Sequence, residues 1–353
     1  MNAPVRLAAA VRSVDFNDRT EIARVESFVA DREGSVFQRP LWVETTAEGT
    51  RNTPFGLVVE RGGALDAWLP LTLVHSPLFG RAFVSSGFGV GGGMLVSREA
   101  DIEVLGAAAI ELAERHNVAT IELRDATAPG EWKSIEGKHA NFSRELAADD
   151  EAQLLAIPRK ARAEVRKGMA NPLTVSVGRD EADRAAHYAV FSRSVHNLGT
   201  PVFPRSLFDA VLDGFGPDAD ILTVHAETGP VASVLSLYHA GTVMPFWGGG
   251  TFAARGLRAN ERMYYELMLH ARRKGCSRFD FGRSKTGSGP FAFKKNWGFE
   301  PEPLTYRSWS APGSAERNID PNDASYSTKI ELWKRMPLSL ANAFGPHIAR
   351  GLG

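Results

Sequence analysis

A single cysteine, Cys276, in 353 residues leaves no partner for an internal disulfide. Histidine is also sparse, and the nine present are scattered without the ligand spacing of a zinc site, so no metal is expected. Excess charge is missing too. The 41 basic and 41 acidic side chains cancel, which removes the electrostatic basis for general nucleic-acid binding and requires any cationic site to be local. No apolar run approaches the roughly 20 residues a membrane helix needs. The opening MNAPVRLAAAVRSVDFND is broken too early for a secretory signal, so the expectation is a cytoplasmic protein, touching at most the inner face of a membrane.

What is there describes an ordinary folded chain, 43% hydrophobic and 23% charged. Its length suits two domains of roughly 100 to 200 residues. In the first half, 19–31 and 41–46 read as short helices, 55–60 and 64–74 as a hairpin turning at Arg61-Gly62-Gly63, and 81–85 as a further strand. The glycine-rich 87–93 lacks the spacing and the lysine of a P-loop and reads as a flexible loop. A helix from a Ser97 cap to His116 repeats Ile102, Leu105, Ala109, Leu112 and Ala113 at helical spacing, with a strand at 119–123 behind it. The second half repeats the order: helices at 181–195 and 204–212, strands at 221–226, 231–239 and 243–247, a glycine loop at 248–250, and a helix at 261–274 capped by Asn260. The halves share a plan without sharing sequence.

The most unusual stretch runs from Cys276 to Trp309. Residues 277–281 alternate like a buried strand, and the loop 282–289 then sets Arg283, Ser284 and Lys285 among three glycines, where backbone N–H groups and two cations can meet an anion. Pro290 opens a short helix carrying Phe291, Phe293, Lys294, Lys295 and Trp297, which Gly298 stops; a strand at 303–309 follows. Upstream, Pro158 starts a helix on which Arg159, Arg162 and Arg166 share one face and Ala161 and Val165 another. That stripe is either a solvated face or a binding surface, and arginine's planar fork suits phosphate or carboxylate.

DFGRSKTGSGPFAFKKNWGF resembles the C-terminal signature of the Fem-type peptidyltransferase group within the GNAT-like N-acyltransferases, and more narrowly the Fem-related proteins of exosortase and exopolysaccharide systems. IPRKARAEVRKG, SVHNLGTPVFP and FWGGGTFAARGLRANERMYYELM extend the resemblance over most of the second half. It implies an α+β fold of two tandem GNAT-like domains, each a mixed, mostly antiparallel sheet flanked by helices. The expected division is 1–148, a basic junction helix 149–172, a second domain 173–310 and a tail 311–353, with the site in the cleft between the domains. Acyl or aminoacyl transfer to an amine on a cell-envelope or exopolysaccharide precursor would follow. A rival reading is a catalytically silent module that binds an anionic glycan or lipid-linked intermediate.

Under the resemblance, Lys294 stands where Fem-type enzymes place a lysine against substrate or the acyl-transfer intermediate. Asp280 and His196 are candidate proton acceptors, although Asp280 would equally pair with Arg283 or cap the turn, and a lone histidine is more often structural. Trp247, Asn260, Tyr264, Tyr265 and Phe293 are candidates to line the substrate pocket with Arg159, Arg162, Arg166, Arg283, Ser284 and Lys285; the aromatics are as readily core. The donor stays open between acyl-CoA and aminoacyl-tRNA, because TFAARGLRAN offers Arg255, Gly256 and Arg258 without the usual acyl-CoA spacing. The acceptor would be an anionic small molecule or a lipid-linked glycan. The tail from 326 sets Leu332, Trp333, Met336, Leu338 and Leu340 against Lys329, Lys334, Arg335 and Arg350, which suits either a membrane surface or packing on the protein.

Overall fold

The structure, a computed structural model, describes residues 9–76, 80–314, 317 and 327–353. Two compact units emerge: Met1–Glu136 with Thr305–Ile319 and Arg350–Gly353, and Gly137–Leu304 with Asp320–Ala349. The basic helix expected at a junction therefore belongs to the second unit, and the tail is divided between the two. The basic helix is held there by packing, its Ala161 and Val165 sharing a core with Met263 and Leu267.

In the first unit, β1 (Ala10–Ser13) is followed by α1 (Arg19–Asp31) and α2 (Pro40–Thr50), then by β2 (Thr53–Arg61), β3 (Ala64–Ser76), β4 (Gly80–Val84) and the short β5 (Leu95–Val96). Next come α3 (Ala100–Arg115) and β6 (Thr120–Leu123). β1 to β4 pair antiparallel in turn, β4 and β6 run parallel, and residues 307–310 of the late strand β14 (Pro301–Ser310) close the far side of β6 antiparallel. Parallel neighbours need a crossover, and α3 supplies it. Its Leu105, Ala109, Leu112 and Ala113 pack on Leu57, Leu69, Phe83 and Ile121 of the sheet. Ser97 is no cap here: α3 starts after Glu99, and the Ser97 hydroxyl is buried without a partner among the described residues.

The second unit repeats the topology. Its elements are β7 (Lys133–Glu145), whose first residues belong to unit one, α4 (Asp150–Ala156), α5 (Arg159–Ala170), β8 (Thr174–Gly178), α6 (Glu181–Asn197) and α7 (Arg205–Phe215). They continue with β9 (Ala219–Ala226), β10 (Gly229–His239), β11 (Thr242–Gly250), α8 (Phe252–Leu257), α9 (Ala259–Arg273), β12 (Arg278–Asp280), β13 (Ser284–Lys285) and α10 (Gly289–Asn296). After β14, α11 (Ser327–Arg335) and α12 (Leu338–Ala349) end the unit. β8 to β11 pair antiparallel in turn, β11 and β12 run parallel, and residues 143–145 of β7 close β12 antiparallel. The one parallel contact thus falls at the same place in both six-strand paths. β7 follows β6 in sequence yet completes the second sheet, and β14 follows β12 yet completes the first.

Two local expectations are corrected. Residues 248–250 form the end of β11, not a loop; helices press on Gly249 and Gly250, and the neighbouring strand presses on Gly248. A Cβ on Gly250 would lie 2.5 Å from Asn260 Oδ1 and one on Gly249 would collide with Ser194 of α6, whereas one on Gly248 would lie 2.9 Å from Val234 Cγ2 of β10. Asn260 does not cap α9, because the helix begins one residue earlier, after Arg258 in the left-handed region at φ 54°. By contrast, α5 starts after Pro158, and α10 carries Pro290 in its first turn and ends before Gly298 at φ 82°, as the sequence indicates.

Candidate active site in the second unit

β11 and β12 stay together for two residue pairs only, Thr242 with Arg278 and Val243 with Phe279. β11 then continues to Gly250 along β10, with a register shift that places a bulge at Phe246 between Pro245 and Trp247. A bulge bends its strand and increases the local twist, and beyond these two pairs β11 runs on along β10 while the three-residue β12 ends at Asp280. Aromatic rings gather nearby. Tyr264 of α9 sits edge-on to Phe281 at 4.8 Å, with Phe293 at 5.7 Å and Trp297 at 6.3 Å. Burial pushes the Tyr264 phenol up to about 12, which keeps it neutral.

The loop after β12 is held from below. Lys294 is 8% exposed, and its Nζ donates to the carbonyl oxygens of Phe281 at 2.7 Å, Gly282 at 2.8 Å and Arg283 at 3.0 Å. An ammonium has three N–H bonds and all are engaged. Burial pulls its pKa down to about 7, while the charge of Asp280 opposes that shift. Three carbonyl acceptors also favour the ammonium, so we assign the charged form. Lys294 is therefore a brace for the loop, not a donor aimed at an oxyanion. Asp280 accepts from the Gly282 N–H at 2.8 Å, and burial raises its pKa against the hydrogen bonds and cations that lower it. The Ser284 hydroxyl is buried with no partner among the described residues.

The remaining candidates disperse. His196, in the last turn of α6, donates from Nε2 to the Trp333 carbonyl at 3.1 Å, which fixes its tautomer against the tail helix. Trp247 is buried on the helix side of the sheet, edge-on to Phe208 at 5.1 Å. Tyr265 turns away from its neighbour and donates to the Asp150 carbonyl at 3.1 Å. Phe293 belongs to the aromatic cluster, and Asn260 crowds Gly250 with an Oδ1 that has no partner among the described residues. Arg283 is half-exposed, and Lys285 lies in β13, paired with His139 of β7. On α5, Ala161, Val165 and Gly168 are buried, whereas Arg159 and Arg166 are exposed and Arg162 reaches back to the Leu155 carbonyl at 3.1 Å.

Three neighbours escaped the sequence reading. Ser194 meets Gly249 across the sheet face. Glu261, in the first turn of α9, has its pKa raised mainly by burial. Arg144 is half-buried with its pKa lowered by burial; it lies 5.2 Å from the Phe299 ring and donates to the Ala156 and Trp297 carbonyls at the ends of α4 and α10. No motif marks these residues, since each owes its setting to a partner distant in sequence. Among the described residues no cluster of His, Cys, Asp and Glu is arranged for a metal, and no helix is long and apolar enough to cross a membrane.

A parallel strand pair that ends after two residue pairs, with a helix crossover between, can be compared with known families. Residues 158–295 match the family model described as an acetyltransferase (GNAT) domain. That stretch, within the second unit, is similar to a GNAT domain. The chain is similar to the structure of FemX, with a TM-score of 0.60 at 15% identity over 83% of this chain and 96% of that one. It is also similar to a tandem GNAT protein from the clavulanic acid biosynthesis pathway, with a TM-score of 0.59 at 14% identity over 87% and 100%. A third similar structure is the C-terminal domain of a putative lysylphosphatidylglycerol synthetase from Agrobacterium fabrum, with a TM-score of 0.55 at 14% identity over 81% and 91%. No curated protein sequence matches the chain. The fold expectation is thus met: two tandem units of GNAT-like fold. GNAT enzymes take acyl-CoA as a substrate and not as a resident cofactor. At the place of a phosphate-binding GNAT loop this chain has α8, and Arg258 is paired with Glu164 at 2.6 Å.

Proposed function

We propose that the second unit transfers an acyl or aminoacyl group to an amine on an anionic cell-envelope or exopolysaccharide precursor. The parting of β11 and β12 carries this reading, because it opens a strand edge along which a donor's acyl arm can be laid. The acceptor nitrogen attacks the acyl carbonyl carbon and forms the amide bond. The C–S bond of a thioester donor, or the C–O bond of an aminoacyl ester, breaks and its leaving group takes up a proton. Asp280 is our candidate to receive the amine proton, since burial moves its pKa toward the range a general base needs. Backbone N–H groups at the strand edge are suited to the developing oxyanion. Arg159 and Arg166, exposed on α5, are the candidates to hold a phosphate or carboxylate of the acceptor.

Between donors, we favour aminoacyl-tRNA over acyl-CoA, because α8 stands where a phosphate loop is expected and one of the segment's two arginines, Arg258, is already paired with Glu164. Incubation with labelled aminoacyl-tRNA and amine-bearing glycan precursors should move label into an amide, and Asp280→Asn should slow that transfer. Acetyl-CoA should bind weakly; calorimetry giving a dissociation constant on the order of micromolar would reverse the choice of donor. A second reading, a silent module that binds an anionic glycan, is favoured by the commitment of all three Lys294 N–H groups to the protein. Ligand binding without transfer from either donor class would select it.

A further inference from the structure

We propose that α11 and α12 form a docking surface for an anionic lipid bilayer, a role independent of the catalytic reading. The two helices belong to the second unit, where they rest on α6 and the segment after it. A Cβ on Gly199 would come 2.5 Å from Ile330, and one on Gly345 3.0 Å from the Val202 nitrogen. His196 Nε2 donates to the Trp333 carbonyl at 3.1 Å. The seating is therefore defined, and it leaves a particular face outward.

That face inverts the usual arrangement. A helix packed on a globular protein turns its large apolar side chains inward. In α12 the inward positions are Ala341, Gly345 and Ala349, while the exposed positions are Ser339 and a stripe of Leu340, Ala343, Phe344 and His347. Leu340 is 49% and Phe344 56% exposed, and Leu332 of α11 is 68% exposed. Leu198, 64% exposed, precedes the glycine against which Ile330 lies. Monomeric proteins seldom leave several large apolar side chains together on one element without a use for them.

Charge selects the occupant. Residues 327–349, from the start of α11 to the end of α12, hold three basic side chains, Lys329, Lys334 and Arg335, against one acid, Glu331, in a chain whose total charge is zero. That acid already pairs with Lys334 at 2.9 Å. Apolar side chains flanked by cations suit an interface in which hydrocarbon lies beneath anionic headgroups. A second copy of this chain would bring a like-charged patch against itself. With so few apolar anchors the attachment is peripheral and reversible.

The test is co-sedimentation of the full chain with vesicles of phosphatidylglycerol and phosphatidylcholine, and with phosphatidylcholine alone. Binding is expected to the anionic vesicles only, and raised salt should weaken it. The double variant Leu340→Ser, Phe344→Ser should bind at least about tenfold less, and Arg335→Ala about fivefold less, both with an unchanged thermal melt. Three outcomes overturn the proposal: no binding to anionic vesicles, undiminished binding by the double variant, or a dimer in ultracentrifugation that Phe344→Ser dissociates.

Discussion

Lys294 donates to the carbonyl oxygen of Phe281 at 2.7 Å, so the last residue before the site loop is tied to a helix that begins eight residues after it. Lys294→Met keeps the length and removes the three donors, leaving three carbonyls unmatched. A loss of about 3 kcal/mol or more is expected in urea denaturation. Lys294→Arg should recover only part of it, because a planar fork does not reproduce the three directions of an ammonium. Stability equal to the parent in both variants would show that the lysine is not a brace.

His187 is fully buried, and burial alone lowers its pKa to about 3, with Nδ1 3.1 Å from the Ser233 hydroxyl. The folded pKa lies below the unfolded one, about 6.5 for a free imidazole. The unfolded chain therefore binds the extra proton first as pH falls. The contribution is complete above the unfolded pKa and is lost on acidification from there toward about 3. Equilibrium unfolding should show up to about 1.4 kcal/mol per pH unit from this residue, and His187→Asn should flatten that part of the profile.

Gly250→Ala would set a Cβ 2.5 Å from Asn260 Oδ1 and 2.9 Å from Ala254 Cβ. Overpacking of this kind costs about 1 to 3 kcal/mol, and it should also weaken donor binding by shifting the end of β11. Gly256→Ala on α8 meets nothing within 4 Å and should be neutral or slightly stabilising. Thermal melts of the pair separate a packing requirement from a general intolerance of the segment.

Arg159 and Arg166 are exposed on α5, and their replacement should leave stability within about 0.5 kcal/mol. If they hold the acceptor's anion, each alanine variant should weaken its binding by about 1 to 3 kcal/mol, and calorimetry reads this directly. Unchanged affinity in the double variant would return the stripe to a solvated face.

Much of the fold was legible because its signals are local. The apolar spacing of α3 and α9, Pro158 and Pro290 at helix starts, and Gly298 at a helix end each follow from a few neighbouring residues. The repeated order of elements and the tandem GNAT-like architecture came from those pieces and from the resemblance of the second half. The arginine stripe on α5 was readable for the same reason, since helical period alone fixes which side chains share a face.

Tertiary structure alone decided the rest. β7 and β14 each complete the sheet of the other half, an outcome of edge pairing between segments far apart in sequence. Gly249 and Gly250 resemble a loop until α6 and α9 are seen pressing on the strand. Lys294 looks like a catalytic cation in its motif, but burial and three carbonyls make it a structural one. Periodicity and capping act over a few residues, whereas burial and hydrogen-bond partners are set by whatever the fold brings alongside.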